Sequence, residues 1–398
     1  MTTIRVEKEK QPLLPQKTGR SKAKYTLVIH GGAGTMSRKK STEAQLKAYH
    51  DGLRVALQAG YSVLQEGGEA MDAAVTAVSA LEDNILFNAG KGAVFNTAGK
   101  NELEASIMLS KPPASHPHIP PSRRGFGLTL LTRIRNPSQL VRELYLTPSA
   151  APHAFLSGEN AESIAESLGI TLVDPSYFFS EARWKEHRRG LGLPETPFPP
   201  GTHEAQGSNS NSTADEEEEE ESPPSTSLDM FPTGTVGAVA LDVRGCICAV
   251  TSTGGRTNKL VGRIGDTPIM SAGYWAEEWE TKPSWLKKAW NRITGRDENQ
   301  CRSKTAVGIS GTGDGDYFIR QATASTIARR VRFFNEPVAT AAQVAMEDLR
   351  HDGGVGGIIV LDHDGNVATP MNCEGMYRGL IREDGVPKTA IFDDEVLE

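Results

Sequence analysis

The residues with the plainest chemical potential stand at the head of a run that reads as a buried strand, Gly234-Thr235-Val236-Gly237-Ala238-Val239-Ala240-Leu241-Asp242. If the Gly234–Thr235 bond were cut, Thr235 would carry both its Oγ1 and a free α-amine. Nucleophile and general base would then sit on one residue, and no histidine would be required. A Gly-Thr step by itself is mostly a turn leading into a strand, so the neighbouring runs decide its meaning. Three follow: Thr251-Ser252-Thr253-Gly254-Gly255, then Asn258-Lys259-Leu260-Val261-Gly262-Arg263-Ile264-Gly265-Asp266, then Ser310-Gly311-Thr312-Gly313-Asp314-Gly315.

The elements that must hold these runs follow from periodicity. Residues 25–30 read as a short strand leading into Gly31-Gly32-Ala33-Gly34, a cluster without the G-x-G-x-x-G spacing of a dinucleotide loop. Over 41–66, Leu46, Tyr49, Leu53, Leu57, Gly60 and Leu64 recur at three- and four-residue steps, which predicts a helix stopped by Gly67-Gly68. A second helix over 69–81 carries small residues (Ala70, Ala73, Ala74, Ala77, Ala80) that permit close packing. Strands are predicted over 102–108 and 126–134, and helices over 137–145, 158–168 and 177–189. The last is basic and aromatic and reads as a solvated face with its aromatics inward. Residues 111–122 read as an exposed Pro-rich loop.

Beyond Thr235, residues 236–241 with 246–252 and 357–361 with 366–369 read as hairpins, and 318–334 and 338–349 as helices. Strands, then two helices, then strands predict two sheets packed face to face with helices outside. Two segments interrupt this order. Residues 190–230, rich in Pro, Ser, Asn, Gly and Glu, read as a disordered acidic linker. Residues 275–304, with four of the five tryptophans, read as an insertion.

Composition excludes several classes. The chain has 43 basic and 50 acidic residues, and 215–221 is acidic throughout, so the remainder is balanced. That leaves no basic footprint for nucleic acid, and the acidic run would repel a phosphate backbone. Residues 1–24 lack the apolar core of a secretory signal, and no apolar run approaches the roughly 20 residues that cross a membrane. Cys246, Cys248, Cys301 and Cys373 offer neither a disulfide framework nor zinc spacing, with Cys246 and Cys248 expected on opposite faces of one strand. The expectation is a soluble cytoplasmic protein without nucleic-acid or membrane partners.

The three runs after Thr235-Val236-Gly237 combine with Ile29-His30-Gly31-Gly32-Ala33-Gly34, Leu81-Glu82-Asp83, Phe87-Asn88-Ala89-Gly90 and Glu104-Ala105-Ser106-Ile107-Met108. In that order they resemble the plant-type (type 2) L-asparaginase and isoaspartyl aminopeptidase family of N-terminal nucleophile hydrolases. The resemblance covers most of the chain except the tail, the linker and two insertions. It implies an α+β fold, an αββα sandwich, formed by a precursor that cuts itself at Gly234–Thr235. An α subunit (25–234) and a β subunit (235–398) would follow a tail of 1–24. Glycine at 234 fits such scission, because it leaves the carbonyl unobstructed and tolerates a strained backbone.

The resemblance further implies Thr235 as nucleophile and Thr253 as the residue orienting it. The Thr312 hydroxyl and the Gly313 N–H would form the oxyanion hole. Arg263 would take the α-carboxylate of the substrate through its two-pronged guanidinium, and Asp266 its α-ammonium. Alone, such an Arg and Asp would read as a surface salt bridge. Main-chain carbonyls of Leu81, Glu82, Asn84, Phe87, Ala89 and Lys91 would hold a structural sodium ion, while the chemistry itself would need no cofactor. The implied substrate is L-asparagine or a β-aspartyl dipeptide, and the implied assembly a dimer of αβ units.

Three features depart from the family pattern. Leu109-Ser110 and the Pro-rich loop follow Met108 where the family continues with Asp-Gly, the Trp-rich segment precedes the oxyanion run, and Asp314 and Asp316 add negative charge beside Thr312. Two other readings compete. A taspase-like threonine endoprotease shares the long linker but has no use for Asp266, since an internal residue bears no free ammonium. A catalytically silent interaction protein, using the acidic linker to bind, would have no reason to keep every catalytic residue.

Overall fold

The computed structural model describes residues 25–34, 36–196, 234–281 and 303–397; the predicted N-terminal tail, the linker beyond 196 and residues 282–302 lie outside them. In chain order, the half before Thr235 contains β1 (Thr26–Ala33), α1 (Glu43–Gln65), α2 (Ala70–Glu82), β2 (Leu103–Leu109), β3 (Gly125–Leu131), α3 (Pro137–Leu146), β4 (Phe155–Ser157), α4 (Gly158–Ser167) and α5 (Glu181–Gly190). The half after it contains β5 (Val236–Leu241), β6 (Ile247–Thr253), β7 (Tyr274–Thr281), β8 (Ser303–Gly313), α6 (Gly315–Gln321), α7 (Thr323–Phe334), α8 (Val338–His351), β9 (Gly356–Asp362), β10 (Val367–Ala368), β11 (Gly375–Arg382) and β12 (Lys388–Phe392).

These strands form a sheet ordered β12-β11-β1-β5-β6-β2-β3-β4 and a second ordered β10-β9-β8-β7. Only the β3–β4 pairing is parallel. Three apolar layers hold the stack together. Tyr49, Leu53, Ala73 and Ala77 of the first two helices meet Leu27, Ile29 and Val236 on one face of the large sheet. Val28, Val239 and Ala249 on its other face meet Tyr274, Ile359 and Leu361 of the small sheet. Ile327, Ala341 and Leu349 of α7 and α8 close the small sheet over Val307 and Ile358. The result is the αββα sandwich expected from the order of elements, with alternate residues of β1 and β5 feeding different layers.

Local chemistry explains where the main helices begin. Thr42 and Gln45 make a capping box, Thr42 N–H donating to Gln45 Oε1 at 2.9 Å and Gln45 N–H to Thr42 Oγ1 at 3.2 Å. The N-terminus of α2 is capped from a distance, Ala70 N–H donating to Asp242 Oδ2 at 3.1 Å. Asp242 sits in the turn between β5 and β6, so the helix and the hairpin that begins next to Thr235 are locked together.

Several sequence expectations need correction. Gly31 and Gly32 do not follow the first strand but belong to it, at a register shift between His30 and Gly32. The helix predicted over 318–334 is broken at Ala322, whose φ of 48° is left-handed. The basic-aromatic helix starts only at Glu181, after a 3-10 turn over Pro175–Phe178, and its Arg183 is 1 % exposed rather than solvated. Cys246 and Cys248 lie on the same face, as residues two apart on a strand must, and both thiols enter the helix-facing layer. Residues 275–281, expected within an insertion, form the edge strand β7, paired with β8 from Tyr274↔Ser310 to Thr281↔Ser303. The Pro-rich loop has no regular structure but is pinned: Arg123 donates to the carbonyls of Tyr145, Leu144 and Ala151 at 2.7, 2.6 and 2.8 Å.

Candidate active site

Thr235 precedes the first residue of β5, in the middle of the large sheet, and is 6 % exposed. Strand β5 pairs with β6 from Val236↔Ser252 onward, so one step further along that register Thr235 faces Thr253. The Thr253 hydroxyl accepts the Gly255 N–H at 2.9 Å and keeps its own proton to donate. The hydroxyl that approaches Thr235 Oγ1 among the described residues belongs to Thr267, at 3.5 Å. Thr267 is fully buried and follows Asp266 directly, but no run in the sequence singles it out.

Behind Thr235, Gly234 packs against the end of β8, where a Cβ on Gly234 would lie 2.5 Å from Thr312 Oγ1. That hydroxyl is fully buried and has no hydrogen-bond partner among the described residues. A buried polar atom left unpaired costs stability, which marks this one as reserved for another group. Gly313 has a φ of 137°, and a Cβ there would fall 2.3 Å from the Val355 carbonyl oxygen, so no other residue fits. Asp314, a departure noted in the sequence, is occupied elsewhere: its carboxylate accepts the Val355 N–H at 3.1 Å.

A cleft of about 460 Å³ opens beside these groups and is lined by Gly234, Gly313, Arg263, Asp316, Arg256 and Glu186, among others. In the uncut chain Gly234, not Thr235, faces this space. Arg263 is partly exposed and pairs with Asp316 at 3.3 Å. Asp266 lies deeper, 4 % exposed; Cβ atoms on Gly315 and Gly273 would come within 2.4 and 2.8 Å of its two carboxylate oxygens. Its Oδ2 has no partner among the described residues, and burial, reinforced by the nearby Glu104, pushes its pKa up to about 7. Arg263 therefore lines the cleft while Asp266 lies behind its lining residue Gly315, and the two are not paired with each other.

A layer of buried charge supports that part of the cleft. Glu104 of β2 is completely buried and accepts the Gly265 N–H at 3.0 Å. Lys259 is also buried, with its Nζ on the Glu102 carbonyl at 2.7 Å and its pKa lowered by burial. From the other side α5 grips the same loop. Thr257 donates to Glu186 at 2.5 Å, and Asn258, at φ 57°, exchanges bonds with the ring and carbonyl of His187 at 2.5 and 3.1 Å. The loop carrying Arg263 is thus clamped between β2 and α5.

The loop over 81–92 curls on itself. A Cβ on Gly90 would lie 2.5 Å from the Glu82 carbonyl oxygen, and one on Gly92 would lie 2.1 and 2.5 Å from those of Phe87 and Ile85. The carbonyls of Leu81, Asn84, Phe87 and Ala89 each accept a turn N–H, at 3.2, 3.2, 2.9 and 3.2 Å, and each retains a second lone pair. Neutral oxygens crowded on a glycine-lined turn are the donor set of a hard cation, so the residues present fit one. Arg183 braces the turn from α5, donating to the carbonyls of Gly92 and Leu86 at 3.2 and 3.4 Å. Among the described residues no group of three His, Cys, Asp or Glu side chains forms a metal cluster. No helix among them is long and apolar enough to cross a membrane.

A threonine at the head of a central strand, an unpaired buried hydroxyl beside it and an αββα sandwich are consistent with an N-terminal nucleophile type of hydrolase. The family model described as Asparaginase matches residues 23–281 and 302–391, and the chain belongs to that family. The stretch left unmatched between them, 282–301, falls within the Trp-rich segment and outside the described residues. The chain is 32 % identical over 377 residues to the isoaspartyl peptidase of Escherichia coli K12, covering 94 % of this chain and 97 % of that protein. It is 30 % identical over 349 residues to the isoaspartyl peptidase/L-asparaginase of Danio rerio, covering 86 and 87 %. The mouse protein of the same name is 30 % identical over 344 residues, covering 85 and 82 %.

Proposed function

We propose that this chain is an autoprocessing amidohydrolase that hydrolyses the side-chain amide of L-asparagine and the β-aspartyl bond of isoaspartyl dipeptides. The observation that carries the reading is the placement of Thr235. It is buried at the head of β5 beneath Gly234, whose Cα faces the unpaired Thr312 hydroxyl. Scission would remove the glycine that separates Thr235 from the cleft and free the α-amine that serves as base. The roles follow from position. Thr235 attacks, with Thr253 and Thr267 flanking its hydroxyl. Thr312 and the Gly313 N–H receive the oxyanion, a kind of donor whose loss typically costs about a hundred- to a thousand-fold in rate.

Arg263 exchanges Asp316 for the α-carboxylate of the substrate, and Asp266 offers its unpaired Oδ2 to the α-ammonium. The lone carboxylate favours a substrate with a free amine over an internal peptide bond, which separates this reading from an endoprotease. The curled loop 81–92 is assigned to sodium, through carbonyls of Leu81, Glu82, Asn84, Phe87, Ala89 and Lys91. We also propose a cytoplasmic dimer of αβ units.

Intact-mass analysis of purified wild type beside Thr235→Ala, with ammonia release from L-asparagine on the same samples, tests the reading. Two fragments meeting at Gly234/Thr235 in wild type only, with activity tracking scission, is the expected result. An uncut but active wild type would overturn it.

A further inference from the structure

The most deeply buried titratable group beside Thr235 has no part in the roles given above. His30 is 0 % exposed, and its Nδ1 lies 2.9 Å from the Thr235 carbonyl oxygen. Its Nε2 lies 2.7 Å from Ser310 Oγ on the other sheet, and Ser310 Oγ lies 2.8 Å from Thr251 Oγ1. The direction of the protons is fixed by chemistry. A carbonyl oxygen only accepts, so Nδ1 donates to Thr235. Burial pushes the His30 pKa down to about 3, so the ring is neutral and Nε2 accepts from Ser310, which in turn accepts from Thr251.

The backbone has been shaped to admit this chain of bonds. His30, Gly237 and Thr251 stand side by side on β1, β5 and β6. A Cβ on Gly237 would lie 2.2 Å from Ser310 Oγ and 2.4 Å from His30 Nε2. Glycine at 237 therefore leaves the gap through which the imidazole and the serine meet. His30↔Gly237 is also the last paired position between β1 and β5, so the Thr235 carbonyl extends past the ladder. The ring takes over where the backbone pairing stops.

We infer that His30, held by Ser310 and Thr251, is a positioning residue that tethers the carbonyl of Thr235 and so fixes the freed N-terminal nucleophile against the oxyanion hole. This rests on Thr235 being the nucleophile. A new N-terminus two residues ahead of the β1–β5 ladder would otherwise fray, and misplacement by about 1 Å can cost on the order of a hundred-fold in rate. Substrate binding at Arg263 and Asp266 is untouched by the relay, so its loss falls on kcat.

The test compares matured His30→Asn, which places an amide N–H near the Nδ1 position, with His30→Gln, which places it near Nε2. Expected are a kcat for His30→Gln about a hundred-fold below wild type with KM within about two-fold, and a kcat for His30→Asn within about ten-fold of wild type. Equal losses in both variants, or a loss confined to KM, would overturn the proposal. Should a variant precursor stay uncut, the ¹⁵N spectrum of the wild-type ring decides. An Nδ1–H tautomer that does not titrate between about pH 5 and 8 supports the relay, and an Nε2–H tautomer or a ring titrating near its ordinary value sinks it. Because that spectrum needs no turnover, a wild type that proves inactive would fail the functional reading without deciding this one.

Discussion

The two ends of the active-site cleft are built on opposite electrostatic plans. The side chains that bond or flank Thr235 among the described residues are neutral: the hydroxyls of Thr267, Ser310 and Thr251 and an uncharged imidazole. Around Arg263 the groups are ionic: Asp266, Glu104 and Lys259 are buried, and Asp316 is exposed. Charge is costly to bury, and here it is concentrated where the proposed amino-acid substrate would be held. On the proposed reading, scission would add the Thr235 amine to this neutral end. On that reading recognition would be built before cleavage and reactivity after it.

That contrast can be broken from the neutral end first. Thr235→Ala should remove both scission and turnover, a loss on the order of 10⁴-fold or more, read by mass and ammonia release. Thr312→Val keeps shape while deleting the unpaired hydroxyl, and should lower kcat of matured enzyme by about a hundred- to a thousand-fold with KM little changed. At the ionic end the signature should move to KM. Arg263→Lys keeps the charge but loses the planar fork, and should raise KM by about ten- to a hundred-fold with a smaller change in kcat.

Acidity sharpens the comparison further. With the pKa of Asp266 raised to about 7, its carboxyl is protonated below that pH and has no charge for an ammonium. Initial-rate profiles should therefore show kcat/KM falling as pH drops below about 7, as expected for a group of the free enzyme. The same shift has a smaller effect on stability, with a definite sign. A folded pKa raised from 3.8 to about 7 contributes stability below 3.8 that is lost as pH rises through 7. Asp266→Asn should then melt higher than wild type at pH 8 and alongside it at pH 4; a lower melting temperature at pH 8 would contradict the burial argument.

Much of the sandwich was legible because its helices carry one-sided apolar repeats, as in Tyr49, Leu53 and Leu57. The runs around Thr235, Thr253, Arg263 and Thr312 were legible because short glycine-hydroxyl stretches recur in order. Two strands were hidden by buried charge whose partners lie on other elements. Strand β11 contains Arg378, which is 3 % exposed and donates to the carbonyls of Met376, Ile391, Phe392 and Glu395 at 3.2, 3.1, 2.9 and 2.6 Å. A charged residue there hides the apolar alternation of a strand. Likewise Glu277 makes β7 look like an exposed excursion, although Arg124 and Arg332 neutralise it from other elements. The contacts of Thr267 and His30 with Thr235 were not legible because they come from elements distant in sequence, not from a local pattern.

The strand order carries one more consequence should the chain be cut at Gly234–Thr235. Reading across the large sheet, β12 and β11 come from the C-terminal fragment, β1 from the N-terminal, β5 and β6 from the C-terminal, and β2, β3 and β4 from the N-terminal again. The fragments are shuffled like two hands of cards, with three seams between them and no face along which they could slide apart. Scission should leave calorimetry with one cooperative transition, and dilution should not dissociate the pair, because separating the fragments means unfolding both.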